Sequence, residues 1–514
     1  MEQWLSLLNP STGELTAILA DNPTLERVLD CDEVLDAFKT ENSQLMALLK
    51  KPETVKKLLS YIVTDAPPDA SDEIRYKYPY LAAEILAYDS DIFFDILLSP
   101  DIKNILFSFL EREENIQPLY SHLICRILHT LIMQRTNDVM ATLKERGTIP
   151  KLIKHLNCFP FCEFLYDIIV STEQTTNPEG LVAWFRENGF IKLLLTEMKI
   201  STQPLVPSNI AQILNNLIGR FTVPDGENMF SQFFQPEESQ LLLEIALDSS
   251  NPASQAASLS LLIDIVWNTR HQPQNEYLMP LDENIDPPPF ICDCVLANMD
   301  KFIESLKGQP NGKGISNTQL KIIILYSTLI RSGYGHKIDE ALLSNPLFKI
   351  LVDLFFAHPN SSILHSEIYT IFEQGILMRG DEMRNVICVD SGLVAKVKET
   401  LLNEKKRRDR RALAPGTVPT DPNFQCSRSN DSSLDEPLPL LSHTLHLARI
   451  AQDAAATVTD LSKWLDDEWN NLYAEIVTPE MTHQESAGLP IQNSMDQMGD
   501  QQDMGDDELF GYTK

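Results

Sequence analysis

Apolar positions along this 514-residue chain fall at helical spacing, and strand-like alternation is hard to find. Between Leu119 and Met133, the residues Leu119, Leu123, Ile127 and Leu131 recur at four-residue steps, and Ile124 and Leu128 widen the stripe. That spacing predicts a surface helix with one face packed on a neighbour. Ala256–Trp267 and Leu320–Ile330 are apolar nearly all round, as inner helices enclosed by others should be. Five proline–acid pairs predict helix openings: Pro52-Glu53, Pro100-Asp101, Pro178-Glu179, Pro236-Glu237 and Pro479-Glu480. Proline at the first helical position loses no hydrogen bond, and a carboxylate there meets the positive end of the helix dipole. The pattern is many short, separate helices.

These helices repeat. Four times a turn residue leads directly into an amphipathic helix: Arg146-Gly-Thr-Ile-Pro-Lys-Leu-Ile, Asn188-Gly-Phe-Ile-Lys-Leu-Leu-Leu, Asn345-Pro-Leu-Phe-Lys-Ile-Leu-Val and Ser391-Gly-Leu-Val-Ala-Lys-Val-Lys. Gly147 to Gly189 is 42 residues and Pro346 to Gly392 is 46, while the 157 residues from Gly189 to Pro346 come close to four such steps. A helical period of roughly 40–47 residues marks armadillo- or HEAT-like stacking. A single repeat cannot bury its own apolar face, so neighbours share one continuous core and leave an extended binding surface. The expected fold is all-α: an armadillo/HEAT-like α-α superhelical solenoid with a disordered acidic C-terminal tail.

Breaks in the pattern divide the chain. Residues 1–402 read as the helical-repeat solenoid, 403–436 as a basic and polar flexible linker, 437–477 as C-terminal helices packing on the solenoid, and 478–514 as the disordered acidic tail. Trp464 and Trp469 are the expected anchors of the third segment. His271–Pro289 and Gly308–Gly314 read as loops inserted between helices.

Charge narrows the partners. The net charge is −31, and the stretch from Thr478 onward holds eight acids and one base, so −24 of it belongs to residues 1–477. A body this acidic repels nucleic acid and anionic lipid, which leaves proteins as partners. Eight cysteines lie mostly among apolar residues, without the spacing of a secreted disulfide framework. The most apolar segment ends at Arg331, short of the ~20 residues that span a bilayer. A cytoplasmic location with no membrane span is expected, and a nuclear share is the alternative.

Candidate chemistry is sparse. Gly308-Gln-Pro-Asn-Gly312-Lys313-Gly314 is one residue short of a phosphate loop, and Gly314 stands where Ser or Thr should hold magnesium. His155, Cys158 and Cys162 fall at i, i+3 and i+7, but Pro160 interrupts them and no fourth zinc ligand is nearby. They read as core residues, as do Cys292 and Cys294. The Gly-Asp pairs at 380–381, 499–500 and 505–506 do not continue into the metal-binding loops of metallophosphatases. No catalytic residue, cofactor or metal site is expected. Two stretches stand out for binding. Lys405, Lys406, Arg407, Arg408, Arg410 and Arg411 put six bases in seven residues, which is a candidate nuclear-localisation signal or a dock for an acidic partner. In Asp72–Leu86, the three tyrosines Tyr76, Tyr78 and Tyr80 cluster with Arg75 and Lys77 at a helix opened by Pro79. Tyrosine and arginine are common interface anchors, and Arg75, Tyr76, Lys77 and Tyr78 are the candidate partner-binding residues. The alternative is that the tyrosines only seal a seam between repeats.

That same stretch resembles the D-E-x-I-R-Y-K-Y-P segment of the SAPS-domain proteins, regulatory subunits of protein phosphatase 6. The resemblance extends upstream through Asp32-Glu-Val-Leu-Asp-Ala-Phe-Lys-Thr-Glu-Asn-Ser-Gln-Leu-Met. Weaker matches follow in order at Leu181-Val-Ala-Trp-Phe, Leu347-Phe-Lys-Ile-Leu-Val-Asp-Leu-Phe-Phe and His446-Leu-Ala-Arg-Ile-Ala. The N-terminus keeps a tryptophan (Trp4) but lacks the aromatic-basic opening common in animal members. The resemblance implies a non-catalytic scaffold that binds the catalytic subunit of protein phosphatase 6, directs it to substrates, and contacts ankyrin-repeat subunits. A nuclear-transport or general armadillo-like adaptor is the competing expectation from the residues alone.

Overall fold

A computed structural model of the protein describes residues 12–21, 23–67, 69–113, 116–171, 178–220, 233, 235–269, 290–307, 314–332, 336–412, 440–455 and 465–486. All regular structure among them is helical. The helices used below are α1 (Leu25–Asp30), α2 (Pro52–Val63), α3 (Tyr78–Leu86), α4 (Pro118–Gln134), α5 (Ile149–Ile153), α6 (Phe159–Val170), α7 (Phe190–Ile200) and α8 (Leu205–Arg220). They are followed by α9 (Pro252–Thr269), α10 (Asn317–Arg331), α11 (Leu347–Ala357), α12 (Ser362–Leu377), α13 (Leu393–Ala412), α14 (Leu441–Ala455), α15 (Asp467–Leu472) and α16 (Thr478–Ser486). The chain divides into two units, Met1–Leu242 and Leu243–Lys514.

Stacking is visible inside each unit. In the first, α2 packs on α3, α3 on α4, α4 on α6, and α6 on α8. Four of these helices open at residues 78, 118, 159 and 205, steps of 40, 41 and 46. In the second, α9 packs on α10, α10 on α12, and α12 on α14. Each helix in the middle of such a series buries two faces. Thus Leu123, Ile127, Leu128 and Leu131 of α4 are at most 2% exposed, and Ile322, Ile323 and Leu325 of α10 are fully buried. Burying a side chain of this size stabilises the fold by about 1.5–3 kcal/mol. Leu119, expected on the buried stripe, lies in the first turn of α4 and is exposed, while Tyr120 and Ser121 beside it are buried.

The repeated turn motif has a simple cause. Gly147, Gly189 and Gly392 adopt φ of +60°, +61° and +80°, the left-handed region that glycine enters without a Cβ penalty. Each reverses the chain immediately before α5, α7 or α13, and Pro346 does the same before α11. At Gly147 the amides of Gly147 and Thr148 reach back to the carbonyls of Lys144 and Leu143, at 3.2 and 3.1 Å, closing the preceding helix. A Cβ on Gly147 would meet nothing within 4 Å, so only the backbone opposes a side chain there. Gly147→Ala is expected to cost about 1–2 kcal/mol by urea unfolding. Gly380→Ala, where φ is −70° and space is also open, should cost nothing.

Four of the five proline–acid pairs open helices as expected, at Pro52, Pro100, Pro178 and Pro236. Pro479 does not. There the chain is helical from Asp467 to Ser486, passing through a wide π-turn at Tyr473–Val477 just before Thr478-Pro479. The same device recurs at Glu73–Lys77, just before Tyr78-Pro79, where the Tyr78 amide donates to the Glu73 carbonyl. A proline inside a helix clashes with the carbonyl four residues back, and one wider turn relieves that clash. The helix ending at Ser486 runs past the expected boundary at 477, and α13 carries the expected linker's first ten residues as helix. Residues 413–439 and 487–514, the rest of the linker and tail, lie outside the described residues, as do the Gly308 loop through Lys313 and Trp464.

Candidate functional site

The segment Arg75–Tyr78 sits on the first π-turn and the start of α3, and the turn splits its side chains. Tyr78 points inward and is 7% exposed, its hydroxyl donating to Asp30 Oδ1 at 3.0 Å on α1. Its ring lies 5.3 Å from that of Tyr61 on α2, whose hydroxyl donates to Glu26 Oε1 at 2.6 Å. Burial and the bond to Asp30 push the Tyr78 hydroxyl up to about 12. Tyr78 therefore seals the seam between α1, α2 and α3. Tyr76 faces the other way and is 50% exposed, with the Arg75 guanidinium 5.4 Å from its ring centre. Lys77 is intermediate, its ammonium 3.1 Å from the Asp30 carbonyl oxygen and 3.9 Å from its carboxylate.

Burial raises the Glu26 carboxyl, but bonds from Lys57 and Tyr61 outweigh it and bring the group down to about 2. Glu26, Asp30, Tyr61, Glu73, Lys77 and Tyr78 border an open cleft of about 550 Å³. Ile74, which also lines the cleft, and Tyr80 are exposed as well, so the outward face of this turn offers a short aromatic and basic surface. Sequence periodicity could not separate Tyr76 from Tyr78, because a π-turn rotates the following residues away from the 3.6-residue phase.

Farther along, neighbouring helices of the first unit are tied by polar pairs at matching positions. Arg126 of α4 makes a bidentate pair with Glu84 of α3, one bond 3.0 Å long, and His129 of α4 meets Asp167 of α6 at 2.6 Å. The offsets, 42 and 38 residues, follow the repeat. Such pairs fix register more than they stabilise.

The basic run lies on the last turns of α13. Arg407 pairs with Glu404 through two bonds of 2.7 Å, and Arg408 Nε lies 2.9 Å from the same carboxylate. The Glu404 side chain is 0% exposed. Burial raises its carboxyl, yet the two arginines more than offset this and hold it below the usual carboxylate range. Lys405 pairs with Glu475 at 2.6 Å and Arg408 with Glu480 at 3.3 Å, while Lys406 is exposed. Arg410 and Arg411 belong to the helix, and their side chains lie outside the described residues. Helix C-termini favour positive charge, which accounts for a basic ending to α13.

The cysteine–histidine group is core. His155 Nε2 lies 2.7 Å from the Arg112 carbonyl oxygen, and the Cys158 and Cys162 thiols each approach a backbone carbonyl at 3.6 Å. Burial pushes the Cys162 thiol up to about 12, far from a reactive thiolate. Among the described residues, no group of three or more His, Cys, Asp or Glu could hold a metal ion, and no helix is long and apolar enough to cross a membrane.

Stacked helices define a protein of the helical-repeat class. Residues 128–332 match the family model described as SAPS, SIT4 phosphatase-associated protein. Among curated proteins the chain is similar to serine/threonine-protein phosphatase 6 regulatory subunit 3-A of Xenopus laevis, at 23% identity over 392 residues, 71% of this chain and 46% of that protein. Regulatory subunit 2 of the same phosphatase in Mus musculus is 26% identical over 394 residues, 71% of this chain and 42% of the relative. Extragenic suppressor of kinetochore protein 1 of Schizosaccharomyces pombe is 24% identical over 297 residues, 53% and 35% of the two chains. The chain thus carries a segment similar to the SAPS family, and it spans less than half the length of these curated relatives. The Arg75–Tyr78 turn lies upstream of the segment matched by the family model.

Proposed function

We propose that this protein is a non-catalytic regulatory subunit that binds the catalytic subunit of protein phosphatase 6 and directs it to substrates. The observation that carries this reading is the SAPS match, lying on a stacked-helix fold, together with relatives named as regulatory subunits of that phosphatase. The mechanism is tethering. A scaffold that holds enzyme and substrate together raises their effective concentration to about millimolar for short connections, and it needs no catalytic group of its own. Ankyrin-repeat subunits are further proposed partners, and the cytoplasm is the proposed location.

The proposed dock is the outward face of the first π-turn, Arg75 and Tyr76 with Lys77 beside them. Arg75 stacked against Tyr76 presents a pre-ordered aromatic-cationic pair, the composition of an interface anchor. Tyr78 supports the dock from within and makes no contact with the partner. Arg75→Ala/Tyr76→Ala should lower co-purification of the phosphatase at least tenfold while leaving the melting temperature unchanged. Full retention of the phosphatase by this variant would remove the turn from the interface. Failure of the unaltered chain to retain any phosphatase would overturn the function itself.

A further inference from the structure

The cations of α13 meet a partner supplied by the chain itself. Lys398 lies 2.7 Å from Asp466 and 2.8 Å from Glu468, Lys405 lies 2.6 Å from Glu475, and Arg408 lies 3.3 Å from Glu480. The steps match: seven residues from Lys398 to Lys405 and seven from Glu468 to Glu475. Both numbers rise together, so α13 and the helix through α15 and α16 run in the same direction, with charges facing every two turns. Beneath the charges, Trp469, Leu472, Ile476 and Val477 are at most 2% exposed. The acidic helix is thus seated by its apolar face and matched to the basic run by its carboxylates.

A run of bases within a strongly acidic chain fits the acidic groove of another protein. In this structure the occupant of that position is the chain's own helix, Asp467–Ser486. We propose that the basic strip around Lys405–Arg408 is a docking surface for a nuclear-import receptor with an acidic groove, and that the helix Asp467–Ser486 competes with the receptor for it. The ion pairs suit a competition. Their side chains are between 22% and 56% exposed, so each is weak and screened by salt, and a partner with a denser array of carboxylates can displace them. The buried apolar face of the helix keeps the strip covered in the absence of such a partner.

The test compares the full chain with Glu468→Gln/Glu475→Gln/Glu480→Gln, which removes carboxylates at positions 56%, 53% and 40% exposed and leaves Trp469 in place. Trypsin cleavage after residues 405–408, mapped by mass, should be about tenfold faster in the variant, reflecting easier local opening. In wild type it should accelerate with added salt. In cells, a fluorescent fusion of the variant should raise the nuclear-to-cytoplasmic ratio several-fold, and adding Lys405→Ala/Lys406→Ala should return it to the wild-type value. Unchanged cleavage would overturn the covering role of the acidic helix. Faster cleavage with an unchanged nuclear ratio would overturn the receptor as the partner.

Discussion

Replacing Arg379 by methionine is expected to destabilise the second unit by about 3–5 kcal/mol in urea unfolding, the cost of breaking a buried ion pair from one side. The Arg379 side chain is 3% exposed and joins three elements. Its Nη2 donates to the Ile330 carbonyl at 2.7 Å, and Nε lies 3.4 Å from Asp339 Oδ1. Ile330 belongs to the last turn of α10, where carbonyls lack partners within the helix, so the guanidinium also caps that end. Methionine keeps much of the volume but removes the guanidinium that faces the Asp339 carboxylate, 18% exposed. Arg379→Met/Asp339→Leu removes both charges, and the double variant should recover at least half of the loss. A single variant within 1 kcal/mol of wild type would show that water reaches Asp339 and that the pair is not structural.

Trp469→Ala is expected to cost about 3–5 kcal/mol, the range for emptying a large aromatic site. Trp469 is 0% exposed and its indole Nε1–H donates to Gln452 Oε1 on α14 at 2.8 Å. Its own backbone amide is held by the Asp466 side chain, which caps α15 at 2.9 Å. The indole therefore fixes both where the helix starts and what it packs on. Hydrogen exchange should show lost protection from Asp467 to Val477, with α2–α4 in the first unit unaffected. Trp469→Phe retains most of the apolar area and gives up one hydrogen bond, so about 1 kcal/mol is expected. Equal losses for the two variants would mean that the hydrogen bond, rather than the packing, seats the helix.

Much of this fold is legible in the sequence. The glycines at 147, 189 and 392 announce left-handed turns because few other residues enter that region cheaply, and their spacing gives the repeat. The all-round apolar stretches at 256–267 and 320–330 announce helices covered on several sides, and α9 and α10 are those helices. Trp469 was recognisable as an anchor because a large aromatic in a short amphipathic helix has nowhere else to go. The SAPS resemblance was legible at the level of residues as well, and the family match agrees with it.

Other features depend on atoms far apart in the chain. Pro479 reads as a helix opener locally, but the π-turn before it lets one helix continue from Asp467 to Ser486. Lys405–Arg411 reads as an exposed, flexible run, yet Glu404 lies buried among its arginines and Glu475 and Glu480 face it from about 70 residues away. Tyr76 and Tyr78 are indistinguishable by type and spacing, and only the seam formed by Asp30 and Tyr61 draws one inward. Periodicity, turn chemistry and composition are properties of neighbours along the chain, so the sequence by itself determined the helices, their repeat and the SAPS resemblance. Which charges are covered, which tyrosine is presented and where a helix ends were decided by the tertiary structure, because burial and ion pairing are set by residues that only folding brings within a few ångströms.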